Sequence, residues 1–142
     1  MFEGASNLSL DAKGRLSMPT RYRDALKSTP GSLRITRHPD NCLLIFPLPA
    51  WERFRGSFGE TALEDQWLKR FFLGHATEVD MDGTGRILVS PELRAAARIE
   101  RDTKLLGMGD YFELWDRPTH DALEAQKLSE RMSSEAMKKL KF

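Results

Sequence analysis

The sequence predicts an α+β protein, rich in β-strands, in which one structural unit occurs twice. The first observation is an internal repeat: residues 10–26 read LDAKGRLSMPTRYRDAL and residues 81–99 read MDGTGRILVSPELRAAARI, each with Asp-x-x-Gly-Arg ahead of a proline and a helix-like segment. The second is that two more apolar runs follow each copy in the same order, with Asp11 and Asp82 lying 71 residues apart. A sheet from one copy would bury little apolar surface and expose its edges. We therefore expect the two copies to interleave as one pseudo-twofold domain.

The first copy predicts four strands and one helix. Alternating polar and apolar residues favour an initial strand, and the Asp and Gly of residues 11–14 favour a turn after it. Thr20 is a suitable N-cap for a short helix, and Pro30 with Gly31 ends that helix. The predicted strands are residues 6–10, 15–18, 33–36 and 42–47, and the predicted helix is residues 20–28.

The second copy divides in the same way. Ser90 and Pro91 open its helix, and Gly109-Asp110 forms the tight turn between its last two strands, at 103–108 and 111–116. Helices are also predicted at 48–57 and 61–73, between the copies, and at 118–140. In the second of the two linking helices, Leu63, Trp67 and Phe71 have helical spacing, which is typical of a core-facing stripe.

The charge balance excludes a protein that binds nucleic acid through bulk positive charge. The chain has 22 Lys and Arg against 21 Asp and Glu, a net charge of +1, so binding would have to come from local clusters. One such cluster of basic residues lies near the N-terminus: Lys13, Arg15, Arg21, Arg23 and Lys27. No apolar run is long enough to cross a bilayer, the opening lacks the pattern of a secretory signal, and the single Cys42 excludes internal disulfides. We expect a cytoplasmic protein without membrane contact.

The repeated turn is the chemically distinctive feature. An Asp at its start can accept backbone N–H bonds, the Gly permits the reversal, and the Arg is left at the start of the outgoing strand. A guanidinium fork held in this way suits a phosphate or the O6 and N7 edge of guanine in the major groove. The alternative is that each Asp only pairs with its own Arg and fixes the turn, and the two roles are compatible.

Catalytic and metal sites are not predicted. The acidic stretch 80–85 has Pro91 where a calcium loop requires Glu, and no histidine stands at a recognisable catalytic spacing from Ser or Cys. We expect no enzymatic activity, no metal and no cofactor.

The sequence resembles the MraZ family, which is related to the AbrB-like swapped-hairpin transcription factors. The resemblance covers essentially the whole chain and rests on MFEGASNLSLDAKGRLSMPTRYRD, LLIFPLPAWE, FFLGHATEVDMDGTGRILVSPELR and FELWD. It implies two tandem AbrB-like swapped-hairpin repeats that form a β-barrel-like domain, with linking helices and a C-terminal helix. The implied boundaries are 5–50 and 76–117 for the repeats, 51–74 for the linking helices and 118–142 for the C-terminal helix.

The resemblance also implies a function and a set of residues. The family's role is to bind short repeated DNA boxes upstream of the division and cell-wall gene cluster, its own operon, as a ring-like homo-oligomer associated with the nucleoid. Carried over by position, the DNA-facing loops contain Asp11, Lys13, Gly14 and Arg15 in the first copy and Asp82, Gly85 and Arg86 in the second. Candidate phosphate contacts are Arg21, Arg23 and Arg94.

Three other functions stay open on the sequence. One is a ring-forming scaffold whose arginines hold contacts between subunits. Another is a small hydrolase or deaminase using the Asp/Arg pairs, for which no base and nucleophile are evident. The third is an antitoxin-like DNA-binding protein, against which the twofold repeat in one chain and the lack of a disordered tail count.

Overall fold

The computed structural model describes residues 1–59, 66–132 and 134–142. Each copy forms four strands and one helix in the predicted order. The first copy contains β1 (Phe2–Ser9), β2 (Arg15–Ser17), α1 (Thr20–Ser28), β3 (Leu33–Arg37) and β4 (Leu43–Phe46). The second contains β5 (Thr77–Val79), β6 (Arg86–Leu88), α4 (Pro91–Ala96), β7 (Asp102–Gly109) and β8 (Phe112–Asp116). The remaining described helices are α2 (Leu48–Gly56), α3 (Gln66–Phe72), α5 (Arg117–Arg131) and α6 (Glu135–Lys138).

Six of the strands form one antiparallel sheet in the order β1-β7-β8-β4-β3-β5. Exchanging each strand for its counterpart in the other copy reverses this order and leaves it otherwise unchanged. The copies interleave because β1 pairs with β7 and β5 pairs with β3, so each copy's first strand lies against the other copy's third. The remaining strands, β2 and β6, pair with each other as a separate two-stranded ribbon.

The barrel-like closure expected from the resemblance is wrong. In the part of the chain that the structure describes, β1 and β5 are the two edges of an open sheet. Each edge strand ends just before an Asp-x-x-Gly-Arg loop, which leads the chain out of the sheet and into the ribbon. The six-stranded sheet is open, and the ribbon has no strand-to-strand hydrogen-bond pairing with it.

The core occupies both faces of β4, one of the two central strands, whose four residues are all buried. Leu43 and Ile45 belong to a large cluster with side chains from both copies, whereas Leu44 and Phe46 pack with Trp51 in a smaller cluster. This alternation follows from the two-residue period of a strand. The large cluster also contains the inward side chains of the ribbon and helices α1 and α4. The ribbon is therefore anchored to the core that the two copies share.

Several element boundaries differ from prediction. Strand β1 begins at Phe2 rather than residue 6, because its first half pairs with the end of β7. The two strands are far apart in the chain, so the local sequence pattern does not predict this pairing. Thr20 is the first residue of α1 rather than its N-cap, a position held by Pro19 with no side-chain cap. Ser90 does cap α4, since its hydroxyl accepts a hydrogen bond from the Leu93 N–H. The predicted last helix is divided into α5 and α6.

The core-facing stripe predicted for α3 is only partly right. Phe72 packs against the smaller cluster, but Trp67 is 73% exposed and lies under the guanidinium of Arg70, 4.8 Å from its ring centroid. The Leu63 position of that stripe lies outside the described residues. Helical spacing alone could not decide which side of the stripe would be covered.

Candidate nucleic-acid interface

The first loop, residues 11–15, is organised by the carboxylate of Asp11. Its Oδ1 accepts hydrogen bonds from the backbone N–H groups of Lys13 and Arg15, both at 2.9 Å. Its Oδ2 accepts one from Arg15 Nε at 2.7 Å. The backbone closes the turn as well, because Gly14 N–H donates to the Asp11 carbonyl at 3.0 Å.

The second loop, residues 82–86, repeats this geometry with one addition. Asp82 Oδ1 accepts from the N–H groups of Thr84 at 3.0 Å and Arg86 at 2.9 Å, and Oδ2 accepts from Arg86 Nε at 2.9 Å. The addition is the Thr84 hydroxyl, which also donates to Oδ1 at 2.9 Å. Lys13 holds the corresponding position in the first loop and is exposed.

These hydrogen bonds keep both aspartates ionised. The backbone N–H of Arg15 is the main cause that lowers the pKa of Asp11, and the Arg86 N–H is the main cause at Asp82. The pKa shift is the larger one at Asp82, where the Thr84 hydroxyl adds to the stabilisation of the carboxylate. Each loop therefore contains a fixed negative charge that orients its own arginine.

Each loop needs its glycine for two reasons. Gly14 and Gly85 have φ of 81° and 83°, a conformation that other residues rarely adopt. Both glycines are also buried under an arginine from the other copy. A Cβ on Gly14 would lie 2.8 Å from Arg94 Cζ, and a Cβ on Gly85 would lie 2.4 Å from Arg23 Nε.

We call these two interactions the crossed arginine contacts, because Arg23 of the first copy covers the second loop and Arg94 of the second copy covers the first. The Arg23 Nε donates to the Met18 carbonyl at 2.8 Å, and the Arg94 Nε donates to the Val89 carbonyl at 3.1 Å. Each side chain thus joins the start of its own helix to the opposite loop. The two loops are held by one symmetrical arrangement rather than independently.

The ribbon places the two loop arginines on one face. Arg15 is opposite Leu88 and Arg86 is opposite Ser17, while Leu16 and Ile87 form the middle pair. That middle pair is buried in the core. Because side chains alternate along a strand, the four others lie on the outer face of the ribbon. Their partial or full exposure agrees with this.

The pairing of Asp with Arg leaves most of each guanidinium unused. Only Nε takes part in the ion pair, at 2.7 Å in the first loop and 2.9 Å in the second. Among the described residues, the terminal nitrogens of Arg15 and Arg86 make no hydrogen bond, and the two side chains are 30% and 35% exposed. The turn-fixing role and an outward-reaching role are therefore compatible in the folded chain.

The three arginines predicted as phosphate contacts are all engaged within the chain. Arg21 is exposed, donates to Ser6 Oγ at 2.7 Å and stacks on the Tyr22 ring. Arg23 and Arg94 make the crossed contacts, a supporting role that sequence reasoning missed. Their separation of 71 residues, equal to that of Asp11 and Asp82, was the available signal.

The described residues show neither a metal centre nor a membrane span. No group of three or more His, Cys, Asp or Glu side chains within residues 1–59, 66–132 and 134–142 is arranged to hold a metal ion. In the same residues, no helix has both the length and the apolar character needed to cross a membrane. Cys42 is buried, which raises the pKa of its thiol.

The comparison with known families matches the two halves of the chain in turn. The family model described as "MraZ protein, putative antitoxin-like" matches residues 1–69 and again residues 72–141. The chain belongs to the MraZ family. The two matches begin 71 residues apart, the same spacing as the two aspartates of the loops.

Relatives within the MraZ family are similar over most or all of their length. A protein of Variovorax paradoxus (strain S110) is 63% identical over 127 residues, 89% of each chain. One of Acidovorax sp. (strain JS42) is 58% identical over 133 residues, 93% of this chain and 94% of the relative. One of Paraburkholderia xenovorans (strain LB400) is 54% identical over the whole of both chains. All three are named "Transcriptional regulator MraZ".

Proposed function

We propose that this chain is a sequence-specific DNA-binding regulator of transcription, without catalytic activity, that contacts double-stranded DNA through the two loops and the β2·β6 ribbon. One observation carries the proposal: two arginines, each oriented by an aspartate through Nε alone, lie on the outer face of one two-stranded ribbon. The names of the MraZ relatives support a role in transcription.

The dimensions of the ribbon suit the major groove, which admits a two-stranded β-ribbon. Arg15 and Arg86 are two residue pairs apart in the register, which is about 7 Å along the strands. Base pairs rise by about 3.4 Å, so the two guanidinium groups are spaced for bases about two steps apart. The pre-orientation by Asp11 and Asp82 lowers the entropy lost when each fork binds a guanine.

Lys13 would add a phosphate contact in the first loop only, because the second loop has Thr84 at the corresponding position. With a net charge of +1, a single chain would bind weakly at physiological salt. Self-association would raise the effective concentration for tandem sites. The proposal therefore includes a ring-like homo-oligomer acting on repeated boxes in its own promoter, ahead of the division and cell-wall genes, in the cytoplasm and at the nucleoid.

Exposed apolar side chains away from the ribbon support self-association. Trp67 and Leu68 lie on α3, and Leu128 and Met132 lie at the end of α5, each at least half exposed. The proposal keeps the swapped-hairpin repeats at 5–50 and 76–117 and the linking and C-terminal segments at 51–74 and 118–142. The exposed apolar side chains on α3 and at the end of α5 would carry the subunit contacts.

The test is footprinting of the DNA upstream of the chain's own operon, followed by gel-shift titration on duplexes with one and four boxes. We expect stronger binding to four boxes and steep dependence on salt. Arg15→Ala and Arg86→Ala should each cost about 1–3 kcal/mol of binding if the side chain contacts a base. Arg53→Ala on α2, whose side chain is 62% exposed and 3.3 Å from Asp110, is the matched control and should bind as wild type.

Two results would contradict the proposal. One is an Arg15→Ala/Arg86→Ala double variant with a native circular dichroism spectrum that protects the same stretch from nuclease. The other is equal affinity for one box and four. Loss of assembly in Arg15→Ala, rather than loss of DNA binding by an intact ring, would favour the ring-forming scaffold instead.

A further inference from the structure

Leu88 is an exposed apolar side chain on the ribbon face that carries Arg15 and Arg86. It is 49% exposed on the outer face of the ribbon, directly opposite Arg15, and two residues along the strand from Arg86. Directly opposite residues in an antiparallel pair have Cβ atoms about 5 Å apart, and residues i and i+2 lie about 7 Å apart. Whatever the two arginines bind must therefore also cover Leu88.

The first copy has no such side chain. Ser17 is the counterpart of Leu88, 71 residues earlier, and it is exposed opposite Arg86. The outer face of the ribbon is therefore unequal at its two ends: Arg15 with Leu88 at one end and Arg86 with Ser17 at the other. The backbone of the ribbon is twofold symmetric, but its contact surface is not.

The chemistry of the major groove identifies one apolar partner. Guanine, cytosine and adenine present hydrogen-bond donors and acceptors there, and thymine alone presents a methyl group, at C5. We propose that Leu88 is a specificity-determining residue that packs on the C5 methyl of a thymine beside the guanine contacted by Arg15. This inference rests on the proposed DNA-binding function and adds a base preference at one end of the ribbon.

The experiment removes the methyl group without changing any base pair. The DNA upstream of the chain's own gene is amplified once with dTTP and once with dUTP, and both fragments are titrated with the full-length protein. We expect wild type to bind the uracil fragment about fourfold more weakly for each contacted methyl. Leu88→Ser should lose this fourfold difference, because serine cannot form the apolar contact with the methyl group.

Two further variants separate the contact from general effects on folding or on DNA shape. Serine is already present at the equivalent position 17, so Leu88→Ser should fold, and Leu88→Met keeps an apolar side chain and should retain the uracil penalty. Ser17→Leu should increase the penalty, because it supplies a second apolar contact. Any change in DNA shape caused by uracil affects all four proteins alike and cancels in the comparison.

The outcomes are distinguishable. Equal wild-type affinity for the two fragments, with Arg15→Ala still impaired on both, would overturn the inference and leave the proposed function standing. The inference would also be overturned, and the proposed function would still stand, if Leu88→Ser lost as much affinity for the uracil fragment as wild type does. If wild type bound neither fragment above an unrelated duplex, the proposed function would fail and the inference with it.

Discussion

The two Asp-x-x-Gly-Arg loops share one backbone and differ at the positions between Asp and Gly. In residues 82–86, Thr84 adds a hydroxyl hydrogen bond to the central carboxylate. In residues 11–15, the equivalent Lys13 leaves that carboxylate with one hydrogen bond fewer and projects a cation into solvent. The second loop is therefore more strongly fixed internally, and the first carries more charge for an anionic partner.

This difference shows that two copies of one turn can keep the same backbone structure, which we call the loop frame, while one copy is fixed more strongly and the other carries an extra charge. The glycines, the aspartates, the arginines and the crossed arginine contacts are the same in both copies. Among the solvent-facing positions of the loops and the ribbon, Lys13 corresponds to Thr84 and Ser17 corresponds to Leu88. The residues of the loop frame hold the turns and pack between the copies, so they cannot be replaced freely. An exposed residue can change at little cost to the stability of the fold.

The largest effect is expected when a side chain is added to the loop glycines. Gly85→Ala should lower the free energy of unfolding by about 2–3 kcal/mol, because it combines the strain of a positive φ with displacement of Arg23. Gly14→Ala should cost somewhat less, since its Cβ would lie 2.8 Å rather than 2.4 Å from the covering arginine. Urea unfolding measures both.

Gly83→Ala is the control for these glycine variants. Its Cβ would meet nothing within 4 Å, and Gly83 does not have a positive φ. The free energy of unfolding of the Gly83→Ala variant should therefore stay close to that of wild type. A loss as large as that of Gly85→Ala would show that the loop frame does not depend on the glycine geometry described here.

The next effect tests whether the loops are supported across the copies. Arg23→Met should lower stability by about 1–2 kcal/mol through the lost hydrogen bond to the Met18 carbonyl. The local change should appear at Gly85 in the second loop, while Arg94→Met should perturb Gly14 in the first. Amide chemical shifts and hydrogen exchange at the two glycines report this. If each variant disturbed only the loop of its own copy, the crossed arrangement would be wrong.

A smaller effect is expected from exchanging the loop cation. Lys13→Thr should reduce the slope of log affinity against log salt by about 1, because one phosphate contact is lost. Thr84→Lys should raise the slope by about 1 per chain engaged, and the double exchange should restore the wild-type slope. Gel-shift titration at several salt concentrations measures the slopes. A slope unchanged in both single variants would contradict a backbone contact at this position.

The smallest effect concerns acid stability. Both aspartates have their pKa lowered from the ordinary value of 3.8, so folding favours their ionised forms. Their contribution is fully present above that value and is lost as pH falls through the folded pKa, with Asp82 protonating after Asp11 because its pKa shift is larger. Thr84→Val should raise the pKa of Asp82 toward that of Asp11. Carboxyl NMR titration checks the order, and earlier protonation of Asp82 would contradict it.

Much of the fold was predictable because it is encoded in local pattern and in the repeat. The order of strands and helices within each copy was correct, as was Ser90 as the cap of α4. The boundaries failed where long-range pairing decides them: β1 gains its first residues from β7. Closure of the sheet failed as a prediction for a related reason, since no local pattern specifies whether edge strands will meet.

The candidate site was predictable as a list of residues and not as an arrangement. The sequence identified the two loops and the turn-fixing role of their aspartates, which the hydrogen bonds confirm. It did not identify the crossed arginine contacts, because Arg23 and Gly85 are far apart in the chain and only the interleaved fold brings them together. The DNA-contacting role of the loop arginines remains a prediction.

By itself, the sequence determined that this chain contains one unit twice, with an Asp-anchored arginine in each copy, because a turn and its hydrogen bonds form within five consecutive residues. Tertiary structure alone decided that the sheet is open and that both arginines share one face with Leu88 opposite Arg15. Those facts depend on the register between β2 and β6, and a shift of one residue would turn every side chain to the other face. Burial of Leu16 and Ile87 in the shared core fixes that register.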